Sequence, residues 1–293
     1  MKRKVVVLGG GTGSSTLLRG LKEFPLDITA IVSVCDDGRS TGVLREEFNI
    51  PAVGDITKVL MAMSTESKGV KDLFNYRFDN NSSIGNHSIK NLIMTALLEM
   101  KGDFAHSLPI LCDLLDVKGK LLPLTEDNVD LIGVTKEGYE IISEAEITES
   151  KRKIKDLKYS KKITVTPRVL EEIKKADLII FSSGSLLTSV MPHIIVPEIQ
   201  DAINASKEGS KIIINNATVN ATNDFKRDII AFENNNGEIV INDITVTNYM
   251  RGINNYNGEV EINGGSFSEL GDILIYSENN AYEIAKGLAE LSI

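Results

Sequence analysis

The chain has 293 residues, of which 42% are hydrophobic and 25% charged, so a disordered or collagen-like chain is excluded. With 41 acidic against 32 basic residues its formal net charge is −9, which argues against a nucleic-acid partner. No apolar run approaches the ~20 residues of a membrane span, and the two cysteines, Cys35 and Cys112, form no CxxC pair, so they read as reduced core residues of a cytoplasmic protein.

In chain order, the start MKRKVVVLGGGTG has a basic opening but too short an apolar stretch for a signal peptide, and reads as a first strand. That strand, Lys4–Leu8, is a β-branched apolar run that stops at a glycine-rich turn. A helical pattern through Leu17, Leu18 and Leu21 follows and ends before Pro25, and Ile28–Val34 is a second buried strand. Together they make a βαβ unit of a parallel sheet. Asp55 opens a further helix, and Asn86–Met100 carries the i, i+3, i+4, i+7 spacing of another. A helix also spans Phe104–Leu115. Between 120 and 163 the pattern turns short and strand-like, a small β-rich subregion. Within it Lys151–Lys162 is a dense basic run, read as a solvated face. Thr166-Pro167 starts another helix, Leu178–Phe181 and Lys211–Asn215 are strands, and Tyr282–Leu291 has the spacing of a closing amphipathic helix. No internal repeat and no linker is visible. The expected fold is α/β, a three-layer Rossmann-like sandwich with a mainly parallel sheet and a small β-rich insertion, in one unit over 1–293.

Gly9, Gly10, Gly11, Thr12 and Gly13 sit where a strand ends and a helix begins. Glycines there let the backbone approach an anion, and the helix start presents unpaired N–H groups. The spacing departs from GxGxxG, because Ser14 or Thr16 falls at the third glycine. A nicotinamide-linked dehydrogenase stays open, although no proton-relay histidine is identifiable. The next cluster runs Asp36-Asp37-Gly38-Arg39-Ser40-Thr41-Gly42. Adjacent carboxylates at a strand end suit Mg²⁺ or ribose hydroxyls, and Ser40 and Thr41 suit phosphate. Asp55 serves as a helix cap or a site carboxylate. His87 and Asn91 are expected one turn apart on the polar face of their helix, with Lys90 adding a cation. Gly184-Ser185-Leu186-Leu187-Thr188-Ser189 is a second strand–turn–helix element, and with Asn216 it can face the other end of a diphosphate. These loops are expected to meet at the strand C-termini.

Ordered along the chain, GGGTG, DDGRSTG, PAVGD, HSIKNL, LPLTEDNVDL and ADLIIFSSGSLLTSVMPHII resemble the gluconeogenesis factor (YvcK-like) family, within the superfamily of the 2-phospho-L-lactate transferase CofD. Arg39 and Lys90 stand where that family has glycine, Ser182-Ser183 replace Gly-Pro, and its Q-x-G-E-T and late R-H-D stretches are absent. The resemblance implies binding of a uridine-diphospho-sugar such as UDP-N-acetylglucosamine, or another nucleotide diphosphate. It further implies a role in carbon flux, wall synthesis and cell shape without established catalysis. Ligand contacts would fall on Gly9–Gly13, Asp36, Asp37, Arg39, Ser40, Thr41, Asp55, His87, Asn91, Gly184, Ser185, Thr188, Ser189, Asn216 and Tyr256, the last near a base. CofD-like members instead move a phospholactyl group from a guanosine diphosphate donor with Mg²⁺, for which Asp36 and Asp37 would be the metal ligands. No catalytic residue is assigned, binding is expected to be independent of Mg²⁺, and a homo-oligomer is allowed.

Overall fold

The structure is a computed structural model that describes residues 2–206 except 80 and 83, and beyond 206 the strand segments named below together with Asn263. Strand β1 (Lys4–Leu8) leads into α1 (Gly11–Leu21) and β2 (Asp27–Val32). Helices α2 (Arg39–Phe48), α3 (Gly54–Met63), α4 (Lys68–Asn75), α5 (Ile89–Lys101) and α6 (Phe104–Leu114) precede β3 (Lys120–Pro123). The insertion follows as β4 (Leu131–Thr135), β5 (Glu140–Ile142), α7 (Glu144–Glu149) and β6 (Ile154–Tyr159). Next come α8 (Pro167–Lys174), β7 (Leu178–Phe181), a π-helical turn at Leu186–Val190, α9 (Met191–Ile194), α10 (Pro197–Asn204) and β8 (Lys211–Asn215).

Strand β1 is central and pairs in parallel with β2 and β7. Its side chains alternate between two apolar layers. Val5 and Val7 face Leu18, Ile56, Leu60, Met94 and Phe104 from α1, α3, α5 and α6. Val6 and Leu8 face Leu124, Val169, Ile173 and Ile199 on the α8 and α10 side. A strand buried on both faces needs an unbroken apolar run, which KVVVL supplies. The α/β fold with a mainly parallel sheet and helices on both sides is therefore as the sequence indicated. The insertion is an antiparallel sheet of order β5-β4-β6. The basic run lies largely on β6 and beside it, with Lys155 and Lys158 exposed and Leu157 buried. Cys35 and Cys112 are free, and burial pushes their thiols up to about 12 and about 11.

The C-terminal part corrects two expectations. Eleven short strands, β8 to β18, follow each other around three parallel sheets, so the segment is a three-sided coil and repeats structurally. The new strands are β9 (Thr218–Asn220), β10 (Ile230–Asn234), β11 (Glu238–Asn242), β12 (Ile244–Thr247), β13 (Arg251–Asn255), β14 (Glu259–Ile262), β15 (Gly265–Ser268), β16 (Ile273–Ser277), β17 (Tyr282–Ala285) and β18 (Leu288–Ser292). Strands β8, β11, β14 and β17 continue the main sheet, with Ile241 registered between Ile214 and Ile262. Tyr282–Leu291 is thus not a helix. Its two strands are held by parallel ladders to β14 and β15, long-range pairing that no local periodicity reports.

Candidate functional site

Strands β1, β2 and β7 lie side by side, so the turns after them meet at one sheet edge. Gly11 has φ +68°, a conformation glycine adopts at no steric cost. Gly13 packs so closely on the β7 turn that a side chain there would strike the Ser183 carbonyl. The hydroxyls of Ser14 and Ser182 join the same two turns at 2.6 Å.

Asp55, in the first turn of α3, fills the mouth of the glycine turn. Its carboxylate is buried and pairs with the Lys58 ammonium at 2.9 Å. Burial pushes the Asp55 carboxyl up, as does the charge of Asp36, while Lys58 and the Gly11 N–H oppose this. Burial opposes the charge of Lys58, but Asp55 and Asp36 outweigh it, so that ammonium is held above its usual range. Asp36 Oδ1 accepts the Gly38 N–H at 2.9 Å, and Oδ2 accepts the Thr41 hydroxyl at 3.2 Å. Asp37 instead accepts the Ala145 N–H at 3.0 Å and latches the insertion to the β2 turn.

A second network lies behind α2. His87 Nδ1 and Ser40 Oγ are 3.0 Å apart. The Asn91 amide also reaches Ser40 at 3.5 Å, and Thr57 donates its hydroxyl to Asn91 Oδ1 at 2.7 Å. His87 is therefore buried, where a position on the polar face of a helix, one turn from Asn91, was the expectation. It precedes the N-cap Ser88 and so lies outside α5 altogether.

A cavity of about 370 Å³ opens here, with Asp36, Ser40, Thr41 and Asn91 among its walls. Lys90, read from the sequence as a cation beside His87 and Asn91, shares this cavity with Lys58, Arg77 and Asn86, which the sequence reading did not single out. Lys90 donates to Asn75 Oδ1 at 2.6 Å, and Arg77 donates to the Asn86 carbonyl. Burial lowers the Lys90 ammonium to about 8, aided by the charges of Lys58 and Arg77. Glu144, also unforeseen, reaches the same edge from the insertion. Burial pushes its carboxyl up to about 8, aided by Asp55 and Asp36 and opposed by a hydrogen bond with Thr188.

Gly184–Ser189 adjoins the glycine turn, and Ser185 caps the π-helical turn by accepting the Thr188 N–H at 3.3 Å. These residues back the site and do not line the 370 Å³ cavity, and Thr12 lines a neighbouring groove. Arg39 is the first residue of α2, and its side chain lies outside the described ones. Asn216 and Tyr256 also lie outside the described residues.

The donor set does not favour Mg²⁺. Asp36 and Asp37 turn to different partners, Asp55 already holds an ammonium, and among the described residues no three metal-ligating side chains converge. The described residues also include no helix long and apolar enough to cross a membrane.

The model of the family described as 2-phospho-L-lactate transferase CofD matches residues 5–260. The chain is 42% identical to the gluconeogenesis factor of Halalkalibacterium halodurans over 224 residues, 76% of this chain and 70% of that one. It is 42% identical to the gluconeogenesis factor of Bacillus subtilis over 203 residues, 69% of this chain and 64% of that one. A crystal structure of a UPF0052-family protein from Bacillus halodurans superposes with a TM-score of 0.70 at 41% identity, covering 73% of this chain and 69% of that one. The chain belongs to the 2-phospho-L-lactate transferase CofD family, in the company of relatives named gluconeogenesis factor.

Proposed function

We propose that the protein binds a nucleotide-diphosphate sugar of the UDP-N-acetylglucosamine kind and acts as a gluconeogenesis-factor-type regulator of carbon flux and cell shape rather than as an enzyme. The observation that carries this reading is that Lys58, Arg77 and Lys90 line one cavity with the hydroxyl-bearing Ser40 and Thr41. In a chain of net charge −9, three cations against the one carboxylate of Asp36 among the described lining residues are a local reversal of sign. Such a lining, with the first turn of α2 beside it, suits a diphosphate through charge-assisted hydrogen bonds. A regulator needs this binding alone. A phospholactyl-type transferase must in addition align two substrates, and small misplacements lower such rates steeply.

The test is a thermal-shift and calorimetric comparison of UDP-N-acetylglucosamine, GDP and NAD, each with Mg²⁺ and with EDTA. UDP-N-acetylglucosamine should stabilise the protein equally under both conditions, by an amount that grows with ligand concentration over Kd. Stabilisation by GDP only, and only with Mg²⁺, would instead select the transferase reading.

A further inference from the structure

A second groove of about 310 Å³ opens between α1, α3 and α4, large enough for a small metabolite. Thr12, Ser15, Arg19 and Lys22 recur every three or four residues, so they fall along one face of α1, and Lys71 joins them from α4. Lys58 and Lys90 line both the groove and the cavity, whereas Arg19, Lys22 and Lys71 line the groove alone. Among the described residues no acidic side chain lines it, and none of these three cations forms an ion pair. Lys22 is anchored, donating to the Ala62 and Ser64 carbonyls at 2.8 and 2.6 Å at the end of α3. Arg19 bonds only neutral acceptors, Ser15 O at 3.3 Å and Thr16 Oγ1 at 3.4 Å. Burial lowers the Lys22 ammonium, the charge of Lys71 adds to this, Glu23 opposes it, and Lys118 and Arg19 lower it further. Cations that repel one another gain from an anion placed among them, and a cleft lined by one sign of charge concentrates such ions. UDP-N-acetylglucosamine carries its formal charge on the diphosphate, which Lys58, Arg77 and Lys90 can answer in the cavity. It has no second anion to set against Arg19, Lys22 and Lys71.

We infer that the groove is a separate site for a phosphate group, either inorganic phosphate or the phosphate monoester of a small metabolite. Arg19 and Lys71 would hold the phosphate oxygens from two helices, and Lys22, fixed by its two carbonyls, supplies the third charge. The cavity and its nucleotide sugar are left as they are. The inference goes beyond the proposed function and does not depend on it.

The experiment is calorimetry on the full chain in a chloride buffer, with inorganic phosphate and with glucose 6-phosphate. Wild type is compared with the Arg19→Gln/Lys71→Gln variant. Wild type should bind at least one probe, and the variant should bind it about tenfold more weakly, as the loss of one charge-assisted contact gives. Tighter binding of glucose 6-phosphate assigns the site to a monoester, and inorganic phosphate bound as tightly or more so assigns it to the free anion. Absence of both, or an affinity that the substitutions leave unchanged, overturns the inference. A second titration uses protein saturated with UDP-N-acetylglucosamine. The probe should still bind, and its complete displacement would put it in the cavity and overturn the inference. The variant should bind UDP-N-acetylglucosamine as wild type does, and its loss there would make the two cations part of the cavity and overturn the inference as well. If neither protein binds UDP-N-acetylglucosamine, the proposed function fails, and the first titration still decides the groove.

Discussion

The carbonyl oxygen of Ser183 lies 1.6 Å from the point where a side-chain carbon on Gly13 would stand. Backbone cannot yield there as a flexible side chain could, so Gly13→Ala must part the β1 and β7 turns. It should cost about 3 kcal/mol, the upper range for overpacking, and lower the melting temperature by several degrees. Gly20, on the same helix, meets nothing within 4 Å, so Gly20→Ala should raise stability by about 0.5 kcal/mol. Denaturant melts of the two variants check the contrast.

The contribution of Glu144 to stability should fall as pH rises from about 4.5 to about 8. The Glu144 carboxyl has its folded value raised to about 8, so over this interval the folded chain holds a proton that the unfolded chain has released. Asp55 is shifted in the same direction. Glu144→Gln removes one of these titrations. Its unfolding free energy should decline less between pH 5 and pH 8.5 than that of wild type in matched urea titrations.

His193 titrates in the opposite sense. It is fully buried with Nε2 against the Ile31 carbonyl at 3.2 Å, and burial lowers its value to about 4. Its neutral form contributes stability that is present above the ordinary histidine range and is lost as pH falls toward 4. The stability of wild type relative to a His193→Gln variant should therefore rise with pH between about 4 and 6.5, and an NMR titration of the His193 ring should show no protonation at pH 5.5.

Lys90→Gly restores the residue that the gluconeogenesis factor pattern carries. Because Lys90 lines the cavity and bonds Asn75, its loss should weaken UDP-N-acetylglucosamine about tenfold. Wild-type affinity should also fall between pH 7 and 9, as an ammonium lowered to about 8 loses its charge, and the variant should lack this dependence. Tighter binding by Lys90→Gly would identify the side chain as an obstruction.

Ile262, fully buried on β14, is a packing test of the coil. Ile262→Ala should cost about 2–4 kcal/mol. It should leave ligand affinity unchanged, since among the described residues none that lines the cavity comes from beyond β7. Chemical denaturation and calorimetry on one preparation measure both.

The parts of the fold readable from sequence are those with local causes. KVVVL followed by glycines can be little other than a buried strand and a tight turn, and the Asp36 and Gly184 turns announce themselves likewise. His87 was misread because helical spacing was extended three residues too far upstream, to Asn86 and across the Ser88 cap. Lys58 and Arg77 carry no mark to distinguish them from surface cations until α3 and the segment after α4 bring them to one cavity. Glu144 reaches the site only because Ala145 latches to Asp37, 108 positions away. The coil was hidden for another reason. Its strands are three to five residues long, and the registers Lys211–Glu238, Glu238–Glu259 and Glu259–Tyr282 have unequal spacing. Tyr282, Ala285, Leu288 and Leu291 fit a helix face as well as they fit two strands, and only neighbouring rungs decide between them.

Strand β8 is hydrogen-bonded on both sides, to β7 and to β11. In an open sheet such a strand would offer a row of free N–H and C=O groups, a template on which other chains can aggregate. The coil removes that template from the α/β part and carries it to its own far end. The last rung described, β16, β17 and β18, belongs to three different sheets. One long flat seam is thereby divided into three short ones, and any further strand pairing there has to match a seam of only four or five residues.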